Sequence, residues 1–332
     1  MRLLQLSHPD EGRRVAVVNE HTVALLSTHQ SVYDAAQAAV QSGRSLTDVV
    51  GDDVSEEQLD YDEIYEGRSS WSLLPCLDHP HEPARCMVSG TGLTHKASVE
   101  NRQAMHEGGD DDVTDSMKIY QWGLEGGKPD AGEIGVQPEW FYKGDGFILR
   151  GHNDPLTVFG FADDGGEEPE ICGLYIVDDQ GTPRRIGLCV GNEFSDHVME
   201  KKNYLYLAPS KLRECAIGPE LCIDPDFADV KGSVSVERSG ATAWSAEIAS
   251  GEANMSHTLA NLEHHQFKYP AHRRPGDVHV FFFGADAFSF GDGFALQEDD
   301  IMEVTWEGLG RPLRNPIRFE SKIDSAVEVT TL

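Results

Sequence analysis

The sequence predicts an α+β fold in which a small N-terminal α+β domain precedes a larger, mostly β domain. Three observations predict it. From Cys86 onward, short apolar runs alternate with Gly, Pro and Asp turns. Ahead of them, one alternating stretch is followed by one capped helical stretch. The chain, at 332 residues, is long enough for one large domain or two unequal ones, and it shows no internal repeat.

In chain order, residues 14–27 alternate around Asn19-Glu20-His21 as a hairpin does, and residues 31–43 carry an N-cap serine, apolar helical spacing and a terminal glycine. Residues 52–67 are acidic and weakly periodic, which leaves a helix or a surface connection open. A boundary near Pro75 divides the chain into residues 1–75 and 76–332. Strands are expected at 147–150, 157–161, 171–177, 185–190, 233–238, 278–283 and 301–306. A late helix is expected over 252–267, with Met255, Leu259 and Leu262 on one face.

Composition narrows the function. No apolar run approaches the roughly 20 residues that span a membrane, and the opening residues are soon broken by Ser7-His8-Pro9-Asp10, so no secretory signal is read and the cytoplasm is the expected compartment. The six cysteines form no C-x-x-C pair, which argues for reduced thiols and against a zinc knuckle. A net charge of −30, from 57 acidic and 27 basic residues, removes the basic face that nucleic acid requires. That charge suits a salt-rich habitat, where screening relieves self-repulsion. On this hypothesis the melting temperature rises with added salt; a melting temperature flat across a salt series contradicts it.

The most informative acids are Glu168 and Glu170, two residues apart in a stretch that leads into a strand, and Glu193, which follows the returning strand. Residues i and i+2 of a strand face one side, and the turn Asp178-Asp179-Gln180-Gly181 brings Asn192-Glu193 back to the same end. Three carboxylates suit a hard cation, Mg²⁺ first, with Mn²⁺ or Ca²⁺ as alternatives. The bland alternative is a solvated face in a very acidic chain.

Five elements in order extend this reading: Glu168-x-Glu170, Gly191-Asn192-Glu193, Lys211 before Ile217-Gly218-Pro219, Pro275-Gly276-Asp277, and Trp306-Glu307-Gly308-Leu309-Gly310 before Leu313-Arg314-Asn315. Together they resemble the fumarylacetoacetate hydrolase superfamily over about residues 86–317. The resemblance implies a mixed β-sheet roll of that family's C-terminal-domain type and a divalent cation held by Glu168, Glu170 and Glu193, the last in place of the more common aspartate. It also implies a homodimer or homotetramer. Hydrolases of the family place a histidine in the run that here reads Gly90-Thr91-Gly92-Leu93-Thr94-His95-Lys96-Ala97-Ser98, and Ser98 takes its position. The branch with a comparable departure is the 2-keto-3-deoxyarabinonate or 2-keto-3-deoxyxylonate dehydratase-like group, which carries a P-E-x-F-x-K run like Pro138 to Lys143.

The resulting expectation is a Mg²⁺-dependent lyase that dehydrates a 2-keto-3-deoxy aldonate of pentonate length to 2-oxoglutarate semialdehyde. Such a substrate needs a base at C3 and an acid at the C4 hydroxyl. Glu139 is the candidate base, Lys143 the candidate acid or orienting group, and Lys211 a second cation or proton-transfer group, with the lysine roles exchangeable. Glu139 and Lys143 read equally as a surface ion pair. Thr94, His95, Ser98 and Arg102 are candidates for binding sugar hydroxyls or the carboxylate, and Asp286 for lining the pocket; a strand leading into a helix explains the first four as well. His79-x-His81 and His264-His265 lack a third ligand and are not taken as metal sites. The competing expectations are hydrolysis of an acylpyruvate or fumarylacetoacetate-type diketone, with water activated by His95 or Glu100, and a non-catalytic sugar-acid-binding protein.

Overall fold

The computed structural model describes residues 1–96, 114–323 and 325–332. The chain opens with β1 (Arg2–His8), β2 (Gly12–Asn19) and β3 (Thr22–Leu26), an antiparallel meander whose β2–β3 turn places Glu20 at φ 55°. The helix α1 (Val32–Ser42) forms as its caps dictate: Ser31 Oγ accepts the Asp34 N–H at 3.0 Å, and Gly43, at φ 67°, ends it in the left-handed region. Residues 52–67 resolve into the end of α2 (Leu46–Asp53), a strand β4 (Val54–Asp60) and a short α3 (Tyr61–Tyr65), followed by β5 (Ser72–Leu73). β4 is an edge strand with mostly exposed acidic side chains. Only its backbone pairing makes it a strand, so no alternation marks it.

The rest of the chain supplies β6 (Cys86–Gly90), α4 (Asp115–Gly126), β7 (Phe141–Asp145), β8 (Leu149–Arg150), β9 (Leu156–Val158), β10 (Pro169–Val177) and β11 (Pro183–Asn192). Then come α5 (His197–Lys202), α6 (Leu207–Lys211), β12 (Cys215–Ile217), β13 (Leu221–Cys222), β14 (Val230–Arg238), β15 (Ala241–Ser250), α7 (Leu259–Phe267), β16 (Val278–Phe282), β17 (Ile301–Trp306) and β18 (Leu313–Phe319).

One 13-stranded sheet follows the path β4-β3-β2-β1-β13-β11-β10-β16-β6-β7, with β5 paired to β1, β12 to β11 and β8 to β12 off that path, and a second of five strands follows β15-β14-β17-β18-β9. β1 pairs with both β13 and β5, so strands on either side of residue 75 share one sheet. The two sheets enclose a core that includes Ile171, Val190, Val234, Phe281, Met302 and Leu313. The Trp306 indole N–H crosses it to the Glu170 carbonyl at 3.0 Å. This is the mixed, sheet-dominated α+β fold that was expected.

Three segments depart from their predicted form. The strand predicted at 157–161 is paired only over Leu156–Val158, because the chain then turns and the Ala162 N–H donates to the Phe159 carbonyl at 2.8 Å. The late helix begins at Leu259, because Thr258 Oγ1 accepts the Asn261 N–H at 3.2 Å and residues 252–257 form turns after Gly251, at φ 87°. The strand predicted at 147–150 starts as a 3₁₀ turn, because Asp145 accepts the Phe147 N–H at 3.0 Å. The cysteines are all buried and free, with burial pushing the Cys172 and Cys215 thiols up to about 12. Among the described residues no helix is long and apolar enough to cross a membrane.

Four buried histidines, His95, His152, His257 and His279, are pulled down by burial from an ordinary 6.5 to about 4. Above pH 6.5 both folded and unfolded chains are uncharged at these positions. Between 6.5 and 4 the unfolded chain alone takes up protons, so stability falls as pH falls, by up to about 3 kcal/mol per histidine. Guanidinium midpoints measured at pH 7.5 and 5 are expected to drop accordingly; equal midpoints contradict it.

Candidate metal centre

The register of the β10–β11 hairpin brings the acids together. Pro169 lies opposite Asn192 and Glu170 opposite Gly191, which leaves Glu168 and Glu193 just beyond the paired ends, where the Glu193 N–H donates to the Glu168 carbonyl at 3.0 Å. Among the described residues these acids form the one group of three or more potential metal ligands whose ligand atoms all lie within 4.8 Å of one another. All three are buried. Solvated surface acids they are not.

Two ammonium groups enter the cluster. Lys211, the last residue of α6, donates to Glu168 Oε1 and Glu193 Oε2, each at 2.6 Å, and to Ser195 Oγ at 2.9 Å. Lys143, on the buried face of β7, lies 2.6 Å from Glu193 Oε1 and donates to the carbonyls of Phe194 at 2.8 Å and Lys211 at 3.0 Å. Ser195 Oγ donates to Glu193 Oε2 at 2.7 Å, and His197 Nε2 lies 3.1 Å from Glu168 Oε1.

Glu168 and Glu170 are shifted in opposite directions. Burial raises the affinity of Glu168 for a proton, but Lys211 and His197 more than offset it and hold the group well below the usual carboxylate range. Glu170 goes the other way: burial first, then the charges of Glu193 and Glu168, push it well above that range, with the Gly284 N–H on its Oε2 at 2.6 Å opposing. A third buried carboxylate that is repelled by its neighbours is the signature of a site short of positive charge. Three hard oxygen donors with that deficit fit a hard divalent cation.

The walls come from residues the sequence did not single out. Glu167, facing away from Glu168, accepts the Ser289 N–H at 2.6 Å and its hydroxyl at 2.9 Å. That anchors the loop whose Phe288 and Phe290 stack on the His197 ring at 4.8 and 5.1 Å. A cavity of about 460 Å³, lined by Gly165, Gly166, Val198, Ser289, Phe290 and Leu296 among others, adjoins this loop. Ser195 and His197 lie two and four residues after Glu193, so a polar S-D-H run close to a candidate ligand was the available signal; a backbone donor such as the Gly284 N–H leaves none.

The other candidates are placed as follows. Glu139 is buried two residues ahead of β7 and accepts the Tyr204 hydroxyl proton at 3.1 Å. Thr94 and His95 bond to each other and to Phe283 and Ser250. Asp286 turns toward β15 and accepts the Ala249 N–H at 3.0 Å. Ser98, Glu100 and Arg102 lie outside the described residues. His79 accepts the Glu82 N–H, and His265 bonds to the Gly135 carbonyl, so neither histidine pair builds a metal site.

No family model matches the chain. A curated relative, "Probable 2-keto-3-deoxyxylonate dehydratase" of Haloferax volcanii, is 28% identical over 179 residues, covering 52% of this chain and 58% of that protein, so the match spans less than two thirds of the relative. Among solved structures, 2-keto-3-deoxy-D-arabinonate dehydratase in its apo form aligns with a TM-score of 0.72 at 18% identity, over 97% of this chain and 100% of that one. The same enzyme complexed with magnesium and 2,5-dioxopentanoate aligns with a TM-score of 0.71 at 18% identity, with the same coverage. A 5-carboxymethyl-2-hydroxymuconate delta-isomerase from Mycobacterium smegmatis aligns at 0.58 and 16%, over 96% and 100%. At these identities the likeness is one of fold, and the sheet-dominated α+β fold that the resemblance implied is borne out.

Proposed function

We propose that the chain is a Mg²⁺-dependent dehydratase that converts a 2-keto-3-deoxypentonate to 2-oxoglutarate semialdehyde. The buried Glu168, Glu170 and Glu193 cluster with the Lys211 ammonium in it carries the reading. It sits in a fold shared with a dehydratase solved with magnesium and 2,5-dioxopentanoate. Bound by these three carboxylates, the cation supplies Lewis-acid stabilisation of the charge that develops on a 2-keto oxygen as a C3 proton leaves. Glu139, oriented by Tyr204, takes that proton, and Lys211 orients the substrate carboxylate or protonates the departing C4 hydroxyl. Water leaves, and the C3=C4 alkene isomerises to the C5 aldehyde: one C5 proton and the C5 hydroxyl proton are lost, and one proton is gained at each of C3 and C4. Lys143, bonded to Glu193 and two carbonyls, holds the site together. The division at residue 75 and assembly as a homodimer or homotetramer belong to the same proposal.

The geometry disfavours water activation by His95, because both of its ring nitrogens are engaged by Thr94 and Ser250. The test supplies Mg²⁺ and either 2-keto-3-deoxypentonates or acylpyruvates, and follows semialdehyde formation and loss of diketone absorbance. Semialdehyde from the former supports the lyase. Turnover of acylpyruvate alone overturns it, and inactivity toward both favours the binding protein.

A further inference from the structure

We propose that Ser250, His95 and Thr94 form a positioning chain that aims the Gly284 N–H at Glu170, so that His95 acts through a metal ligand and not on substrate. The inference rests on the metal-centre reading above. Thr94 Oγ1 lies 2.8 Å from the Phe283 carbonyl and 2.9 Å from His95 Nδ1, and His95 Nε2 lies 3.2 Å from Ser250 Oγ. A hydroxyl has one proton and a carbonyl only accepts. Thr94 therefore donates to Phe283, accepts from His95 Nδ1–H, and leaves Nε2 to accept from Ser250. Burial keeps His95 neutral at ordinary pH, as this assignment requires.

The far end of the chain is a single peptide unit. The Phe283 carbonyl and the Gly284 N–H belong to one plane and point in opposite directions, so gripping the carbonyl sets the direction of the N–H. That N–H donates to Glu170 Oε2 at 2.6 Å. The Phe283 N–H donates to the Ile171 carbonyl at 3.1 Å, which ties the same turn to the residue after Glu170. Gly284 is at φ 96°, and a Cβ there would collide with Thr94 Oγ1, so the close approach of threonine to the turn requires glycine. Thr94 and His95 are thus spent on the turn, and His95 has no nitrogen left for a sugar hydroxyl.

The experiment is Mn²⁺ binding by the purified protein, read by electron paramagnetic resonance or calorimetry, with ¹⁵N resonances of His95 alongside. Thr94→Val keeps the shape and removes the hydroxyl; its Kd for Mn²⁺ is expected to rise about 10–100-fold. Thr94→Ser restores the hydroxyl and should bind as wild type does. His95 should show a protonated Nδ1 and an unprotonated Nε2. If Thr94→Val fails to fold, Ser250→Ala at the other end is expected to weaken Mn²⁺ in the same direction. Wild-type affinity in the folded variant, or the opposite tautomer, overturns the positioning chain. Wild-type protein that does not bind Mn²⁺ overturns the metal centre itself.

Discussion

Glu168→Ala is expected to lower semialdehyde formation by about 10³-fold or more while leaving the chain folded. Glu168 is the common acceptor of Lys211 at 2.6 Å and His197 at 3.1 Å, and those partners keep it ionised despite its burial. It is therefore a fixed negative charge of the cluster, and its loss removes both a ligand oxygen and the counter-charge that places Lys211. The folded state loses less. Lys211 keeps Glu193 and Ser195 as partners, and Glu170 is relieved of one of the two charges that repel it. Glu168→Gln separates charge from volume, since it retains an acceptor for Lys211, and it should fall in the same direction. Steady-state kinetics with melting temperatures decide the matter. A folded Glu168→Ala with wild-type kcat/KM contradicts the metal-centre reading.

What the sequence made legible follows from where burial leaves a pattern. β10 is buried along all nine residues, so it shows as a continuous apolar run, and the turn after it is marked by its Asp and Gly. α1 carries both caps in its sequence. β15, by contrast, is an edge strand whose first three residues are exposed; Trp244, Ala246 and Ile248 alternate toward the core, but the small Ala, Ser and Thr residues around them leave the pattern faint. The helix predicted over 252–267 is longer than the helix formed, because Met255 lies in helical spacing with Leu259 and Leu262. Met255 is buried as expected, but it is reached through a turn. In the site, the i, i+2 pair Glu168 and Glu170 could be read directly, and Glu193 through the hairpin. The partners of Glu139 and Lys143 could not. Their i, i+4 spacing suggested a pair, whereas Glu139 meets Tyr204 and Lys143 meets Glu193, contacts 65 and 50 positions apart in the chain that no local spacing encodes.

The second large effect is on stability. Lys143→Met should destabilise the metal-free protein by about 3–5 kcal/mol, because it breaks a buried ion pair from one side only. The Lys143 and Glu193 side chains are both at 0% exposure and 2.6 Å apart, so removing the ammonium leaves Glu193 Oε1 without its partner and out of reach of water, with only Oε2 still held by Lys211 and Ser195. Two carbonyls, of Phe194 and Lys211, lose their donor as well. Methionine is close to lysine in volume, which keeps a cavity from accounting for the result. For a chain of 332 residues the corresponding fall in Tm is about 4–7 °C. Adding Glu193→Gln replaces the carboxylate that has lost one of its two ammonium partners and should return part of the loss, so the double variant is expected to melt above Lys143→Met alone. The same cycle separates holding the site from taking part in the reaction. A holding role makes metal-free stability and activity fall together and lets the second substitution restore stability without restoring turnover. A Lys143→Met protein that melts with the wild type yet has lost its kcat would instead assign the lysine to proton transfer, as the sequence alone had suggested.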